Sequence, residues 1–225
     1  MKLLLVGHGR MGRLVEALAP KYGCEVSGIV TGEGALDAIR SAGAADVAVD
    51  FSTPAAVPVN LPVLASRGLN VVIGTTGWHD HEPALRAVVE RAGIGVLASA
   101  NFSTAMYIFR QLVDEAARAF AARDDTGAWI HEAHHAAKKD APSGTALMLK
   151  GAMQAAGYSR PIDVSSMRAG SIPGTHVVGF DGPADAVTLS HEVRDRAVFA
   201  HGALEAARWL KGRRGWFGMR DMMAP

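Results

Sequence analysis

The chain opens Met1-Lys2-Leu3-Leu4-Leu5-Val6-Gly7-His8-Gly9-Arg10-Met11-Gly12, and this stretch decides what its first half is built to be. A short run that is apolar on both faces, residues 2–6, predicts a buried strand. It leads directly into G-x-G-x-x-G at Gly7 to Gly12 and then into a helical pattern over residues 11–21. Each glycine has a mechanical reason: the first makes a tight turn, the second admits a pyrophosphate close to the backbone, and the third lets helix and strand pack. The helix start that follows offers an anion free N–H groups and a partial positive charge. Placed between strand and helix, the motif points to a dinucleotide, with Gly7, His8, Gly9, Arg10, Met11 and Gly12 as the candidate contacts. A glycine turn without a ligand is the simpler alternative.

Working outward, the same alternation continues. Strands are predicted at 25–30, 46–51, 70–73 and 94–98, and helices at 55–67 and 83–92, with Pro58 and Pro62 arguing against a regular helix in the first of these. Short apolar strands separated by helices predict a Rossmann-like, doubly wound parallel sheet of the α/β class. Two more loops, Gly74-Thr75-Thr76-Gly77 and Ser99-Ala100-Asn101-Phe102, follow strands, on the side where open α/β sheets bind ligands. Gly74, Thr75, Thr76, Ser99, Ala100, Asn101 and Phe102 therefore join the cofactor candidates, against an ordinary turn for each. The carboxylate usual about 20 residues beyond such a loop grips a ribose. Here the second strand ends Val30-Thr31-Gly32, and Glu33 comes late, between glycines. Without that charge a 2′-phosphate meets less repulsion, so NADH and NADPH both stay open.

After Ser103 the rhythm changes to a long Ala-rich helix over 104–122, then strands at 128–134, 164–168, 176–180 and 187–193 with a helix at 145–156. That order predicts a second, α+β domain. An amphipathic helix at 199–211 needs an apolar surface and is expected to return to the first domain. The division expected is residues 1–103 with 197–225 for the dinucleotide, and 104–196 for substrate and oligomerisation. Lys211-Gly212-Arg213-Arg214 reads as a solvated turn.

With 225 residues, 49% of them apolar, the chain buries a sizeable core. Its 23 basic and 22 acidic residues nearly cancel, so no broad positive surface is expected for nucleic acid. The only cysteine is Cys24, which excludes an internal disulfide and suits a reducing compartment. The apolar opening stops at Gly7, short of a signal sequence, and no later run reaches membrane-spanning length. A soluble, unprocessed, cytoplasmic protein is expected, with small molecules or copies of itself as partners and no membrane.

A second stretch carries the chemistry: Glu132-Ala133-His134-His135-Ala136-Ala137-Lys138-Lys139-Asp140-Ala141-Pro142-Ser143-Gly144-Thr145-Ala146. Two histidines and two lysines crowded beside an apolar strand are costly to bury without an anion, and a dicarboxylate answers that cost. Pro142 stops any preceding helix, and Ser143-Gly144-Thr145 begins a new one with N–H groups free for a carboxylate. A polar loop with a capped helix is the plainer alternative.

This stretch resembles the signature of the dihydrodipicolinate reductase family, also called 4-hydroxy-tetrahydrodipicolinate reductases. The resemblance runs along nearly the whole chain, through Gly9-Arg10-Met11-Gly12, Asp50-Phe51-Ser52, Gly74-Thr75-Thr76-Gly77, Ala100-Asn101-Phe102-Ser103, Arg168-Ala169-Gly170, Gly174-Thr175-His176, Phe199-Ala200-His201-Gly202-Ala203 and Met219-Arg220-Asp221. It implies that His134 donates or accepts a proton, that Lys138 donates one, and that His135 with the Gly144-Thr145 backbone holds a substrate carboxylate. It also implies a cofactor lying against Gly7 to Gly12, Gly74 to Thr76 and Ser99 to Phe102. The implied reaction removes water from a cyclic hydroxylated imine dicarboxylate and reduces the ring with hydride from NADH or NADPH, in the diaminopimelate route to lysine. The family is commonly homotetrameric through the second-domain sheets. The chain departs from it at Thr31-Gly32, where an acidic-then-basic pair is usual, which bears on cofactor preference and not on the reaction.

The chemistry agrees independently. A nicotinamide carries the hydride, so the protein needs to position two rings, exclude water and supply a proton. Lysine is charged near neutrality and attracts a carboxylate while donating a proton, histidine titrates close to working pH, and Asp140 is placed to orient Lys138 or to form a turn. Two other readings compete. His131-Glu132-Ala133-His134-His135 spells H-E-x-x-H, a zinc-hydrolase pattern on a helix but too stretched for one metal on the predicted strand, so no metal is expected. A non-catalytic nucleotide sensor needs the glycine loop but not His134 and Lys138 together.

Overall fold

The computed structural model of the chain describes residues 1–224, which form two compact units: residues 1–104 joined by the chain from Ala197 onward, and Ala105–Arg196. In the first unit β1 (Lys2–Val6), β2 (Glu25–Val30), β3 (Val47–Asp50), β4 (Asn70–Ile73) and β5 (Gly95–Ala98) are all parallel. Between them run α1 (Arg10–Leu18), α2 (Ala35–Ser41), α3 (Val57–Ser66) and α4 (Glu82–Ala92). Consecutive strand residues, Leu3 and Leu4 or Val71 and Val72, are equally buried, which a sheet covered on both faces requires. On one face Leu4, Ala48, Val71 and Val96 pack with Leu61, Leu64, Leu85 and Val89 from the crossover helices.

The prolines do not stop α3. Pro58 lies in its first turn, where an N–H is not needed, and the bond Pro62 forgoes would have gone back to the carbonyl of that same turn. The first helix is shorter than predicted, giving way to a 3-10 turn at Ala19–Tyr22 that contains Pro20. The short α2 was not foreseen. It starts from Gly34 in the left-handed region, and the Arg67 guanidinium holds its far end by donating to the carbonyls of Ile39, Ala42 and Gly43 at 2.6, 2.7 and 3.1 Å.

After the second unit the chain returns with α7 (Ala197–Leu210), which packs along β3, β4 and β5 and against α1. It then adds a sixth parallel strand, β10 (Gly215–Phe217), beside β5, and ends in α8 (Met219–Met223). The sheet order is β10-β5-β4-β3-β1-β2. Buried Asn70 ties this return in place: its amide donates to the carbonyls of Leu210 (2.7 Å) and Arg213 (3.1 Å), while its oxygen accepts from the Gly95 N–H (2.7 Å). The charged side chains of the 211–214 turn are exposed, as expected, but its backbone is part of the fold.

The second unit is a four-stranded mixed sheet, β7-β6-β8-β9, formed by β6 (Gly127–His134), β7 (Ile162–Arg168), β8 (Thr175–Asp181) and β9 (Ala186–Glu192). The pair β6 and β7 is parallel; β8 runs antiparallel to β6 and to β9. Helices α5 (Thr104–Ala121) and α6 (Gly144–Ala155) cover one face, where Met106, Phe109, Val113, Leu149 and Met153 meet Ala128, Ile130, Val178 and Phe180. On the opposite face the Trp129 ring lies across Gly179 so closely that a Cβ there would strike it. Among the described residues no helix is long and apolar enough to cross a membrane.

Candidate active site

The glycine turn of the first unit has the form a dinucleotide needs. Gly7 has φ +90°, and a Cβ on it would run into the Phe51 carbonyl. A Cβ on Gly12 would strike the Gly7 carbonyl. The protein itself therefore requires glycine at both positions. Nothing lies within 4 Å of where a Cβ of Gly9 would stand, and its φ of −75° suits any residue. The space that Gly9 leaves free opens outward, at the uncapped start of α1, and that is the cradle a pyrophosphate fits. A cavity of about 610 Å³ runs from it, lined by Gly7, His8, Gly9, Arg13, Val30, Thr31, Gly32, Ser52 and Thr53 among others. No carboxylate lines it at the end of β2, and His8 is held against Glu16 at 2.6 Å.

A smaller cavity, about 370 Å³, brings Gly9, Arg10 and Met11 together with Phe51, Ser52, Gly74, Thr75 and Thr76. Its walls are locked by Asp50, a buried carboxylate at the end of β3. Oδ1 accepts from the Ser52 N–H (2.9 Å), the Ser52 hydroxyl (2.6 Å) and the Thr75 hydroxyl (2.9 Å). The Phe51 ring fills the place a Cβ of Gly74 would take and meets the Phe102 ring edge-on at 6.3 Å. Trp78 Nε1 supports the same loop by donating to the Thr75 carbonyl at 2.7 Å. Ser99, Ala100 and Asn101 line neither cavity; Ser99 Oγ donates to the Asn101 carbonyl and Asn101 Oδ1 accepts from Ser103.

In the second unit, strand alternation places Ala128, Ile130, Glu132 and His134 on the face toward the helices. Register sets Ser166 and His176 on either side of Glu132, and Arg168 beside His134. Fully buried Glu132 takes a two-pronged grip from Arg168, Nη1 to Oε2 at 2.8 Å and Nη2 to Oε1 at 2.6 Å. Its Oε1 also accepts the Ser143 N–H at 3.1 Å, and its Oε2 sits 2.5 Å from His134 Nδ1. Burial by itself raises a carboxyl, but the donors from Arg168, Ser166, His134 and Ser143 prevail and hold Glu132 at about 2.

Ser143 caps α6, its oxygen accepting from the Ala146 N–H, and lies 3.2 Å from His176 Nε2. Burial, reinforced by His134, drives His176 down to about 4 and so keeps it neutral. Lys138, in the loop between β6 and α6, places its ammonium on both oxygens of Asp140 at 2.7 and 2.8 Å, and that contact pulls the Asp140 carboxyl below its usual range. Arg168 reaches this loop as well, donating to the Asp140 carbonyl at 2.6 Å. His134 is lowered from its ordinary value, first by burial and then by Lys138 and Arg168, with Glu132 opposing. Gly174, at φ +150°, leaves room beside it, since a Cβ there would stand 3.2 Å from His134 Nε2.

His134, Lys138 and the α6 start with Gly144 and Thr145 thus belong to one neighbourhood, with His135 next along the chain. The helix that a zinc-binding H-E-x-x-H demands is not formed. On β6, His131 lies on the face opposite Glu132 and bonds Ser165 Oγ at 2.9 Å. Sequence reasoning did not assign Asp50, Arg13, Glu132, Arg168 or His176. A signal existed for Glu132, a charge in an otherwise apolar alternation, and for Asp50, an Asx-type residue closing a buried strand.

A six-stranded parallel sheet with this glycine turn, joined to a unit that gathers an imidazole and an ammonium at a helix start, defines an NAD(P)H-dependent oxidoreductase. A family model described as dihydrodipicolinate reductase, N-terminus, matches residues 1–102, and one described as dihydrodipicolinate reductase, C-terminus, matches residues 105–223. The chain belongs to the dihydrodipicolinate reductase family. It is 38% identical to the 4-hydroxy-tetrahydrodipicolinate reductase of Stenotrophomonas maltophilia strain K279a, over 99% of this chain and 98% of that one. It is 35% identical to the reductase of the same name from Bradyrhizobium diazoefficiens, over 99% and 97%. Among solved structures, a dipicolinate-bound dihydrodipicolinate reductase from Paenisporosarcina sp. TG-14 has the same fold, with TM-score 0.82, 19% identity and 100% and 99% coverage.

Proposed function

We propose that the chain reduces 4-hydroxy-tetrahydrodipicolinate to tetrahydrodipicolinate with loss of water, the reductive step of diaminopimelate and lysine biosynthesis, through the residues described above. What carries this reading is the grouping of His134 and the α6 start on buried Glu132, with the Lys138 loop tied to it through Arg168, in a chain whose relatives bear that activity. NADH or NADPH, when bound, supplies the hydride. Gly7 to Gly12 receive its pyrophosphate, and Gly74 to Thr76 form more of its bed, with Ser99 to Phe102 assigned to it by the family resemblance alone. The missing carboxylate after β2 and the presence of Arg13 in the cavity wall support use of the phosphorylated cofactor alongside the plain one.

His135 and the Gly144-Thr145 backbone at the start of α6 hold one substrate carboxylate, the Gly144 N–H turning to it from the Asp140 carboxylate. Lys138 leaves Asp140 for the substrate and donates the proton that the reduced ring requires. His134 exchanges a proton at Nε2. The solved neighbour is named as dipicolinate-bound, and dipicolinate is a flat cyclic dicarboxylate of the same class. Copies of the chain assemble as a homotetramer through the sheet face bearing Trp129 and Met167, the latter exposed here. The lone reduced Cys24 suits the cytoplasm.

The test is direct. Purified protein is expected to oxidise NADH or NADPH only when given the condensation product of pyruvate and aspartate semialdehyde. Folded protein inert with both cofactors would overturn the assignment.

A further inference from the structure

The roles above leave Glu132 unused, although it is fully buried and receives Arg168, Ser166, His134 and the Ser143 N–H together. A buried carboxylate with this many donors is a poor stability device, because well-packed apolar residues of similar volume usually do as well. Its partners are informative: they are the imidazole, the cap of α6 and, through Arg168, the backbone of the Lys138–Asp140 loop.

We propose that Glu132 is a positioning residue that fixes His134 with Nδ1 protonated and Nε2 presented for proton exchange, while holding the Lys138 loop and the α6 start in the same frame. The tautomer follows from donor counting. Glu132 stays ionised to about pH 2, so it has no proton to give and Nδ1 must be the donor across the 2.5 Å contact. The neutral ring then carries its lone pair on Nε2, the atom beside the space left by Gly174. Around the ring stand Glu132 on its own strand, Arg168 on β7, His176 on β8 with ring centres 5.1 Å apart, and Lys138 with Asp140 in the loop. Burial, Lys138 and Arg168 weaken proton binding and Glu132 strengthens it, so near neutrality His134 is mostly neutral, with Nε2 bare.

The catalytic consequence rests on the reductase reading; the tautomer does not. Nitrogen-15 NMR of the full-length protein labelled at histidine, with His134 assigned by comparison with His134→Gln, is expected to show a protonated Nδ1 and a bare Nε2 at neutral pH. An Nε2–H form, or an average of the two, in the wild-type protein overturns the proposal without any need for a variant to fold. In Glu132→Gln the single tautomer should be lost, kcat should fall about a hundredfold with cofactor affinity unchanged, and the His134 limb of the pH profile should move to lower pH. Arg168→Lys, which keeps the charge but not the fork, should fall between the two. An unchanged tautomer and pH profile in folded Glu132→Gln would reduce Glu132 to a packing role. A wild-type protein that shows the Nδ1–H tautomer yet oxidises neither cofactor would sink the reductase reading and leave the tautomer standing.

Discussion

The glycine turn is built of bare backbone, and the surroundings of Glu132 are built of charge. Gly7 and Gly12 are forced by neighbouring carbonyls, whereas the place a Cβ of Gly9 would take is open. The Glu132 pocket is the reverse: every polar atom of the carboxylate is engaged, and the groups proposed for proton transfer, His134 and Lys138, are held by Glu132 and by Asp140. A cofactor shared by many enzymes needs a shape that excludes side chains, while a proton transfer needs a particular atom at a particular protonation state. The first requirement is met locally in the chain, and the second only by strands brought together.

The comparison breaks most easily at Lys138. Lys138→Ala is expected to lower kcat about a thousandfold while cofactor affinity, measured by calorimetry, stays put. Comparable losses in both would give the lysine a cofactor role instead. Next is acid sensitivity of the charge-built unit. Unfolded histidine takes up a proton near pH 6.5 but folded His176 only near 4, so stability is present above pH 6.5 and falls as pH drops toward 4, by up to about 3 kcal/mol. Glu132 adds a further loss from its ordinary 4.5 down to about 2, as the folded carboxylate is finally protonated. Urea titrations across this range should show the slope, and His176→Gln should remove its upper part alone; a flat profile would mean His176 is solvated.

Smaller effects separate the glycines. Gly12→Ala puts a methyl against the Gly7 carbonyl and should cost about 2 kcal/mol of stability as well as cofactor binding. Gly9→Ala should leave the melting temperature nearly unchanged and weaken the cofactor about tenfold. Wild-type affinity in Gly9→Ala would show that the middle glycine faces no ligand.

Much of the first unit was legible, because a strand, a glycine turn and a helix are contiguous and each declares itself in a few residues. Strand β10 was not: it is three residues long, half-buried, and follows a charged turn whose carbonyl happens to suit Asn70. Pro58 and Pro62 argued against α3 because their cost depends on position within the helix, which the sequence does not display. In the second unit the histidines and lysines stood out by type, but their partners did not. Glu132 stood in the family signature without a role of its own and otherwise only in a metal pattern, and it is the strand register, not the spelling, that turns His131 to the other face.

By itself the chain's order of residues determined the layered parallel sheet, the glycine turn, the membership of a reductase family and the segment that holds His134 and Lys138, since all of these are written in local spacing. Only the tertiary structure decided that Asp50 locks its own loop to Thr75, 25 residues on, and that Arg168, 36 residues from Glu132, grips it beside His134. Those contacts depend on which strands pair and in what register, and pairing is settled by burial of the whole sheet rather than by any stretch of sequence.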